Sequence, residues 1–140
     1  MRFHSTAASM ALSIAAAAHA ASLATPAAYG DELASLVNGY RASRHVDALE
    51  IDPALSGLAR EHSAAMVRAN KLSHDDFQAR FRRSGYSMCV ENVGWNYATA
   101  ADQLKAWQRS PGHDRNLLDT RVAHAGIGVA GDYVTFIACR

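Results

Sequence analysis

Three residues of the types that bind metals or move protons lie close to breaks in the chain's helical and extended patterns. His74 lies in LSHDDF, Glu91 in SMCVENVGW and His113 in WQRSPGHDRNLL. Two neutral imidazoles and one carboxylate form a three-ligand set for Zn²⁺ or a similar divalent ion, with the fourth position open to water. Such an ion would also balance the charge of an acid in a half-buried strand. If the three side chains meet, the sequence predicts a metal site there, and the same residues are the candidate catalytic groups.

Each of these residues also has a simpler explanation. His74 fits an exposed loop residue, and His113 can donate to a backbone carbonyl. Without a metal, Glu91 can hydrogen-bond to one imidazole. Ser110, near His113, suggests a serine hydrolase, but Ser110-Pro111 is typical of a helix N-cap, and no oxyanion motif accompanies it. The residues alone leave open whether the three side chains share a site.

The first twenty residues have the pattern of a secretory signal peptide. Arg2 gives a positive start, an Ala-rich run follows, and the run ends in AHA, a small-x-small sequence typical of signal-peptidase sites. We expect cleavage after Ala20, then a linker over 21–30 and one domain over 31–140. A disordered Ala-rich tail is the alternative. The run is too short to cross a bilayer, so we expect a secreted or periplasmic protein, not an integral membrane protein.

The charge balance argues against nucleic acid as a partner. Arg2 is the only Lys, Arg, Asp or Glu in the first twenty residues, so its loss would lower Lys+Arg from 14 to 13, equal to the 13 Asp+Glu. Duplex binding requires a positive surface. Arg80, Arg82 and Arg83 form a small basic cluster, which we interpret as a solvated helix face.

The two cysteines, Cys89 and Cys139, should pair if the chain is exported to an oxidising compartment. Closing a loop of this length stabilises a fold by about 4 kcal/mol in the chain-entropy estimate. The pair would also place the strand with Glu91 beside the C-terminal strand. Two free thiols are the alternative.

Hydrophobic periodicity predicts an α+β fold of helices around a small antiparallel sheet. The repeat of Leu33, Leu36, Val37 and Tyr40 predicts a first helix, with Asp31 as its cap. Gly131-Asp132 between two apolar runs predicts a hairpin. The predicted helices cover 31–44, 53–70, 75–84, 100–109 and 111–118, the predicted strands cover 87–95, 125–130 and 133–139, and 45–52 is a connection with Leu49 and Ile51 facing the core.

Five segments, in order, resemble the CAP superfamily (cysteine-rich secretory proteins, antigen 5, pathogenesis-related 1) in its short bacterial form, often called SCP-like. They are LVNGYRASRHVDALEIDPALSGLAREHS, MVRANKLSH, VENVG, AWQRSPGHDRNLL and AGIGVA. The resemblance runs from about Leu33 to Cys139. The Ser-Pro-Gly-His-x-x-Asn block after a Trp is its most specific part.

The resemblance implies an α-β-α sandwich with a central antiparallel sheet and a groove where two histidines and an acid converge. By position, His74 and His113 match the family histidines and Glu91 matches the acid of the Glu-Asn pair. Several family members hold a divalent cation, commonly zinc, with the two histidines. The remaining motif positions imply structural roles, and they are Asn92, Trp107 and Ser110.

Two departures from the family pattern affect the site. Many eukaryotic members carry a second Glu three residues after the Trp, whereas here Ser110 stands three residues after Trp107. Glu91 is therefore the only carboxylate that matches the motif. The usual Gly before Glu-Asn is Val90 here, so the disulfide at Cys89 can set the path of the strand instead.

These patterns predict an exported CAP-domain binding module with an optional Zn²⁺ or other divalent cation. Its ligand would be a lipid, a peptide or a cell-envelope component. A metal-dependent hydrolase of the peptidase type and a lipid- or sterol-binding protein are the alternatives. Trp95 and Tyr97 can line a groove for an apolar or peptide ligand, although aromatic residues beside a strand commonly serve packing.

Overall fold

The computed structural model of the protein describes residues 24–140. The predicted signal peptide and the first residues of the predicted linker lie outside the described residues. No helix in the described part has both the length and the apolar character needed to cross a membrane. The elements in chain order are α1 (Pro26–Ser43), β1 (Glu50–Ile51), α2 (Pro53–Ala69), α3 (Phe77–Ser84), β2 (Cys89–Trp95), α4 (Ala100–Gln108), α5 (Pro111–Leu117), β3 (His124–Ala130) and β4 (Tyr133–Cys139).

The four strands form one sheet in the order β1-β3-β4-β2. β4 pairs antiparallel with both β3 and β2, so the predicted antiparallel sheet is confirmed. The predicted hairpin is also confirmed, because Ala130 pairs with Tyr133 across the two-residue turn and Gly131 has a φ of 52°. The sequence missed β1, which adds two residues in parallel to β3.

The sheet separates two helical layers. On one face, α1, α4 and α5 pack over Phe136 and Ala138 of β4. On the other face, α2 and α3 pack over Ile137 and Cys139 of the same strand. Because successive side chains of a strand point to opposite faces, β4 contributes to both cores. This arrangement is the predicted α-β-α sandwich.

α2 lies very close to β3, because two glycines leave the facing side of that strand without side chains. A Cβ at Gly126 would overlap the backbone of Leu55, and one at Gly128 would overlap the backbone of Ala59 and Arg60. The Gly-x-Gly sequence therefore fixes how α2 crosses the sheet.

Two expectations about the first elements are wrong. α1 begins at Pro26, inside the predicted linker, and Thr25 accepts the capping hydrogen bond from Ala28 at 3.1 Å. Asp31 therefore lies within the helix. Ile51 was expected to face the core, but it is 45% exposed, because β1 is a short edge strand.

The predicted disulfide is confirmed. Cys89 and Cys139 are bonded and face each other in the register of β2 and β4. The bond joins the start of the edge strand β2 to the end of β4. Cys89 stands two residues before Glu91.

Candidate functional site

Glu91 lies in the middle of β2, an edge strand of the sheet. Alternation along the strand places Cys89 and Val93 on the same face, where they pack against residues of the α2–α3 layer. Val90 joins the core on the opposite face. The carboxylate of Glu91 is therefore buried beneath the α2–α3 layer, and its charge needs a partner there.

Arg80 of α3 supplies that partner. Its Nε donates to Oε2 of Glu91 at 2.8 Å, and its Nη2 donates to Oε1 at 2.8 Å. Its Nη1 donates to the backbone oxygen of Asp75 at 2.7 Å. The interpretation of Arg80 as part of a solvated basic face is thus wrong, because the side chain is buried in a bidentate ion pair. α3 begins at Phe77, two residues later than predicted.

His74 makes the third contact with the same carboxylate. Its Nδ1 lies 2.9 Å from Oε1 of Glu91. Because Arg80 donates to both oxygens of Glu91, the imidazole must donate as well, which places its proton on Nδ1. In its uncharged form the ring then presents Nε2 as an acceptor. Glu91 therefore orients His74 and selects its tautomer.

His113 approaches from the other helical layer, in the first turn of α5. Its backbone oxygen accepts a hydrogen bond from Nδ2 of Asn92 at 3.0 Å. Burial lowers the pKa of the His113 imidazole, and the nearby His74 lowers it further. His74 and His113 therefore lie on opposite sides of β2, close enough for the charge of one imidazole to influence the other. We call the surface that carries these two side chains the histidine groove.

The outer edge of β2 is closed by side chains from α4 and α5. Nε1 of Trp107 donates to the carbonyl of Val93 at 3.0 Å, and Nδ2 of Asn116 donates to the carbonyl of Glu91 at 3.2 Å. Asn116 also donates to Oδ1 of Asn92 at 2.9 Å. Trp107, Asn92 and Asn116 thus hold the strand and α5 in a fixed relation, which in turn fixes His113.

These contacts do not fit the three-ligand metal set. No group of three His, Cys, Asp or Glu side chains in residues 24–140 is placed to hold a metal ion. Both oxygens of Glu91 already accept from Arg80, and Oε1 also contacts His74, so a metal would compete with these donors. His74 and His113 offer two nitrogens, fewer than the three protein ligands of a catalytic zinc site.

The comparison with known families decides the identity of the fold. Residues 34–139 match the CAP, or cysteine-rich secretory protein, family. The chain belongs to the CAP family.

Three proteins similar to this CAP domain come from bacteria. It is 31% identical over 109 residues to the uncharacterized protein YkwD of Bacillus subtilis, covering 72% of this chain and 42% of YkwD. It is similar in structure to an extracellular protein of Bacillus anthracis that contains an SCP domain, with a TM-score of 0.76, 25% identity and coverage of 80% and 40%. An outer surface protein of Borrelia burgdorferi shares the fold alone, with a TM-score of 0.72, 18% identity and coverage of 79% and 90%. The chain spans less than half the length of the two Bacillus proteins.

A concave surface of the CAP domain includes His113, so it shares this residue with the histidine groove. This cavity of about 350 Å³ carries no charged side chain other than what His113 can provide. Ser110, expected to cap α5, stands at the N-cap position, but its side chain makes no capping hydrogen bond. We call this cavity the aromatic cavity. Its lining residues are Leu72, Val93, Gly94, Trp95, Tyr97, Gln103, Ala106, Trp107, Ser110 and His113.

His62 supports the CAP site from below. It is buried on α2, and its Nε2 lies 2.7 Å from the backbone oxygen of Ser73, the residue before His74. Burial is the main cause that lowers the pKa of His62. Because the carbonyl of Ser73 can only accept, Nε2 of His62 carries the proton and anchors the turn that presents His74.

Proposed function

We propose that this CAP domain is an extracytoplasmic binding module that takes a ligand or partner in the histidine groove. The observation that carries the proposal is the bidentate contact of Arg80 with Glu91. This contact ties both oxygens of the only carboxylate that matches the family motif to a guanidinium, which disfavours a role for Glu91 in proton transfer or metal binding. Glu91 is then a positioning residue for His74, and the groove presents imidazole nitrogens to a bound molecule.

The chemistry of the groove suits neutral polar groups. Nε2 of His74 is left to accept a hydrogen bond, while its Nδ1 is held by Glu91. His113, whose pKa is lowered by burial, adds a second neutral imidazole. In their uncharged forms the two rings can accept from and donate to hydroxyl and amide groups of a ligand.

A secreted or periplasmic location is part of the proposal. The Cys89–Cys139 disulfide is typical of oxidising compartments. The similar proteins from Bacillus anthracis and Borrelia burgdorferi are described as extracellular and outer-surface proteins. The signal-peptide pattern of the first twenty residues points the same way.

A metal-dependent hydrolase needs a metal-activated water and a free base. While Arg80 holds its carboxylate, Glu91 fits neither the role of metal ligand nor that of free base. To separate the two functions, the purified protein is assayed on peptide and ester panels with and without chelator. Turnover that is chelator-sensitive and lost in His113→Ala would overturn the binding proposal in favour of the hydrolase.

Binding itself is measured by NMR on the imidazole signals of His74 and His113. Short uncharged peptides, oligosaccharides and fatty acids are the probes. We expect at least one class to shift both signals saturably without turnover. An absence of shifts with every class counts against a binding groove at this position. Mass spectrometry of an organic extract of the protein tests the lipid- or sterol-binding alternative, which predicts a co-purifying lipid.

A further inference from the structure

Three of the five large apolar side chains that are exposed in residues 24–140 line the aromatic cavity. They are Leu72, Trp95 and Tyr97, with exposures of 46%, 49% and 40%. Single exposed apolar residues are normal, but a cluster around a concavity marks a contact site. The ring of Trp95 packs against Tyr133, with 6.3 Å between ring centroids. The indole is thus supported from one side while a large part of it stays exposed.

The cavity also contains a buried amide that lacks a partner. Gln103 is 1% exposed, and its Oε1 makes no hydrogen bond within the described part of the chain. The amide lies against Gly94, where any side chain would overlap it. More than nine in ten buried polar groups in proteins are hydrogen-bonded, so an exception requires an explanation. A bound donor at the cavity is such an explanation, because it would satisfy Oε1.

The lining of the cavity contains no carboxylate, lysine or arginine side chain. The hydroxyl of Ser110 is not used as a helix cap. The imidazole of His113 lies in the same lining. A pocket with an amide, a hydroxyl, an imidazole and an exposed indole suits a ligand that is uncharged, rich in hydrogen-bonding groups and flat on one face.

We propose that the aromatic cavity binds an N-acetylated amino sugar. The acetamido N–H donates to Oε1 of Gln103, which turns toward the cavity by rotation about its terminal torsion, a broad one. The apolar face of the sugar ring packs on Trp95, and its hydroxyls bond to Ser110 and His113. This inference deepens the proposed binding function and rests on it, because His113 belongs to both the cavity and the histidine groove.

An extended peptide fits this cavity less well. Peptides that bind beside a sheet add a strand and bond to the main chain of its edge. At the edge of β2, the carbonyls of Val93 and Glu91 already accept from Trp107 and Asn116. These two carbonyls are therefore less available to the main chain of a peptide, which favours recognition through side chains, as for a sugar.

The test is an NMR titration of the ¹⁵N-labelled protein with N,N′,N″-triacetylchitotriose. The chain has two tryptophans, so two indole N–H signals are expected, and Trp95→Phe assigns them. We expect the Trp95 signal to shift saturably. The deacetylated chitosan trimer should bind roughly tenfold more weakly, because it lacks the acetamido group. An unmoved Trp95 signal, or equal binding of both trimers, overturns the inference.

The uncharged peptide N-acetyl-trialanine amide is the second probe. If it binds and the acetylated sugar does not, the sugar inference is wrong while the proposed binding function stands. If neither probe shifts Trp95 but another class of ligand shifts both histidine signals, the sugar inference is again wrong and the proposed binding function stands. If no class of ligand shifts the histidine signals, the proposed binding function fails together with the sugar inference.

Gln103→Leu removes the amide and should weaken sugar binding roughly tenfold, measured by calorimetry. Because it also removes an unsatisfied buried group, we expect the melting temperature to be equal to or above that of the wild type. Gln78→Leu, on the exposed surface of α3, is the matched control and should bind as the wild type does. Trp95→Ala changes an exposed position and should abolish binding. It serves as the test if Gln103→Leu fails to fold. Wild-type affinity in either cavity variant overturns the inference.

Discussion

Arg80 and Glu91 form a two-point ion pair beneath the histidine groove, with Nε–Oε2 and Nη2–Oε1 distances of 2.8 Å each. α3 supplies the cation and the edge strand β2 supplies the anion, so the pair joins a helical layer to the sheet. The side chains are only 6% and 2% exposed. Loss of either partner therefore leaves a charge buried without compensation.

Glu91→Gln should lower the free energy of unfolding by about 3–5 kcal/mol, because it strands the buried guanidinium of Arg80. Urea denaturation followed by circular dichroism measures the change. The double variant Arg80→Met/Glu91→Gln should recover much of the loss, since it leaves no buried charge without a partner.

The matched control is Arg83→Met, which breaks the exposed ion pair of Arg83 with Glu61. Exposed pairs contribute about 0–1 kcal/mol, so the denaturation midpoint should hardly move. Equal effects of Glu91→Gln and Arg83→Met would show that the buried pair does not hold α3 on the sheet.

Reduction of the Cys89–Cys139 disulfide should lower the free energy of unfolding by about 4 kcal/mol, because the bond lowers the conformational entropy of the unfolded chain. Urea denaturation with and without reductant measures the difference. The variant Cys89→Ala/Cys139→Ala should not respond to reductant. Equal midpoints, with both thiols shown to be free by mass spectrometry, would contradict this expectation.

Acidification should destabilise the fold below about pH 6.5, the ordinary pKa of histidine. Burial lowers the pKa of both His62 and His113 in the folded state. The unfolded chain therefore binds more protons, so the stability is fully present above pH 6.5 and falls as the pH drops through the lowered values. NMR titration of the ring C2–H signals and melting curves from pH 7.5 to 5 measure both effects. Midpoints above 6.5 for these histidines would reverse the sign and refute the prediction.

Zinc should not raise the melting temperature of the wild-type protein appreciably, because Arg80 occupies the carboxylate of the predicted ligand set. A ligand that binds only the folded state stabilises it in proportion to the logarithm of its concentration over Kd. Arg80→Met frees Glu91 and should bring a zinc response, measured by thermal shift. A zinc response of the wild type that disappears in His113→Ala would restore the metal site predicted at His74, Glu91 and His113.

The sequence predicted the layers of this fold well, since long amphipathic helices and alternating strands leave clear periodic patterns. It failed at the start of α1, because Thr25-Pro26 followed by alanines is typical of both a linker and a capped helix. It also failed at β1, since a strand of two residues is too short to show an alternating pattern of apolar and polar residues. The disulfide was predictable because the predicted export signal and the number of cysteines limit the alternatives.

The site was only half predictable for a related reason. Motif order pointed to His74, Glu91 and His113, but the partner of Glu91 depends on where α3 crosses the sheet. A local signal did exist. Arg80 follows Phe77 at helical spacing, and Gln103 stands in the buried stripe of α4 between Ala100 and Trp107. A polar residue in an apolar stripe is a candidate for a buried contact.

The covered edge of β2 has a consequence for the protein as a population of molecules. Open strand edges recruit strands from other chains and start aggregates. Here Trp107 and Asn116 occupy the carbonyls of Val93 and Glu91 that a neighbouring molecule would need. The side chains that brace β2 beside the histidine groove thus also disfavour edge-to-edge pairing between copies of the protein at high concentration.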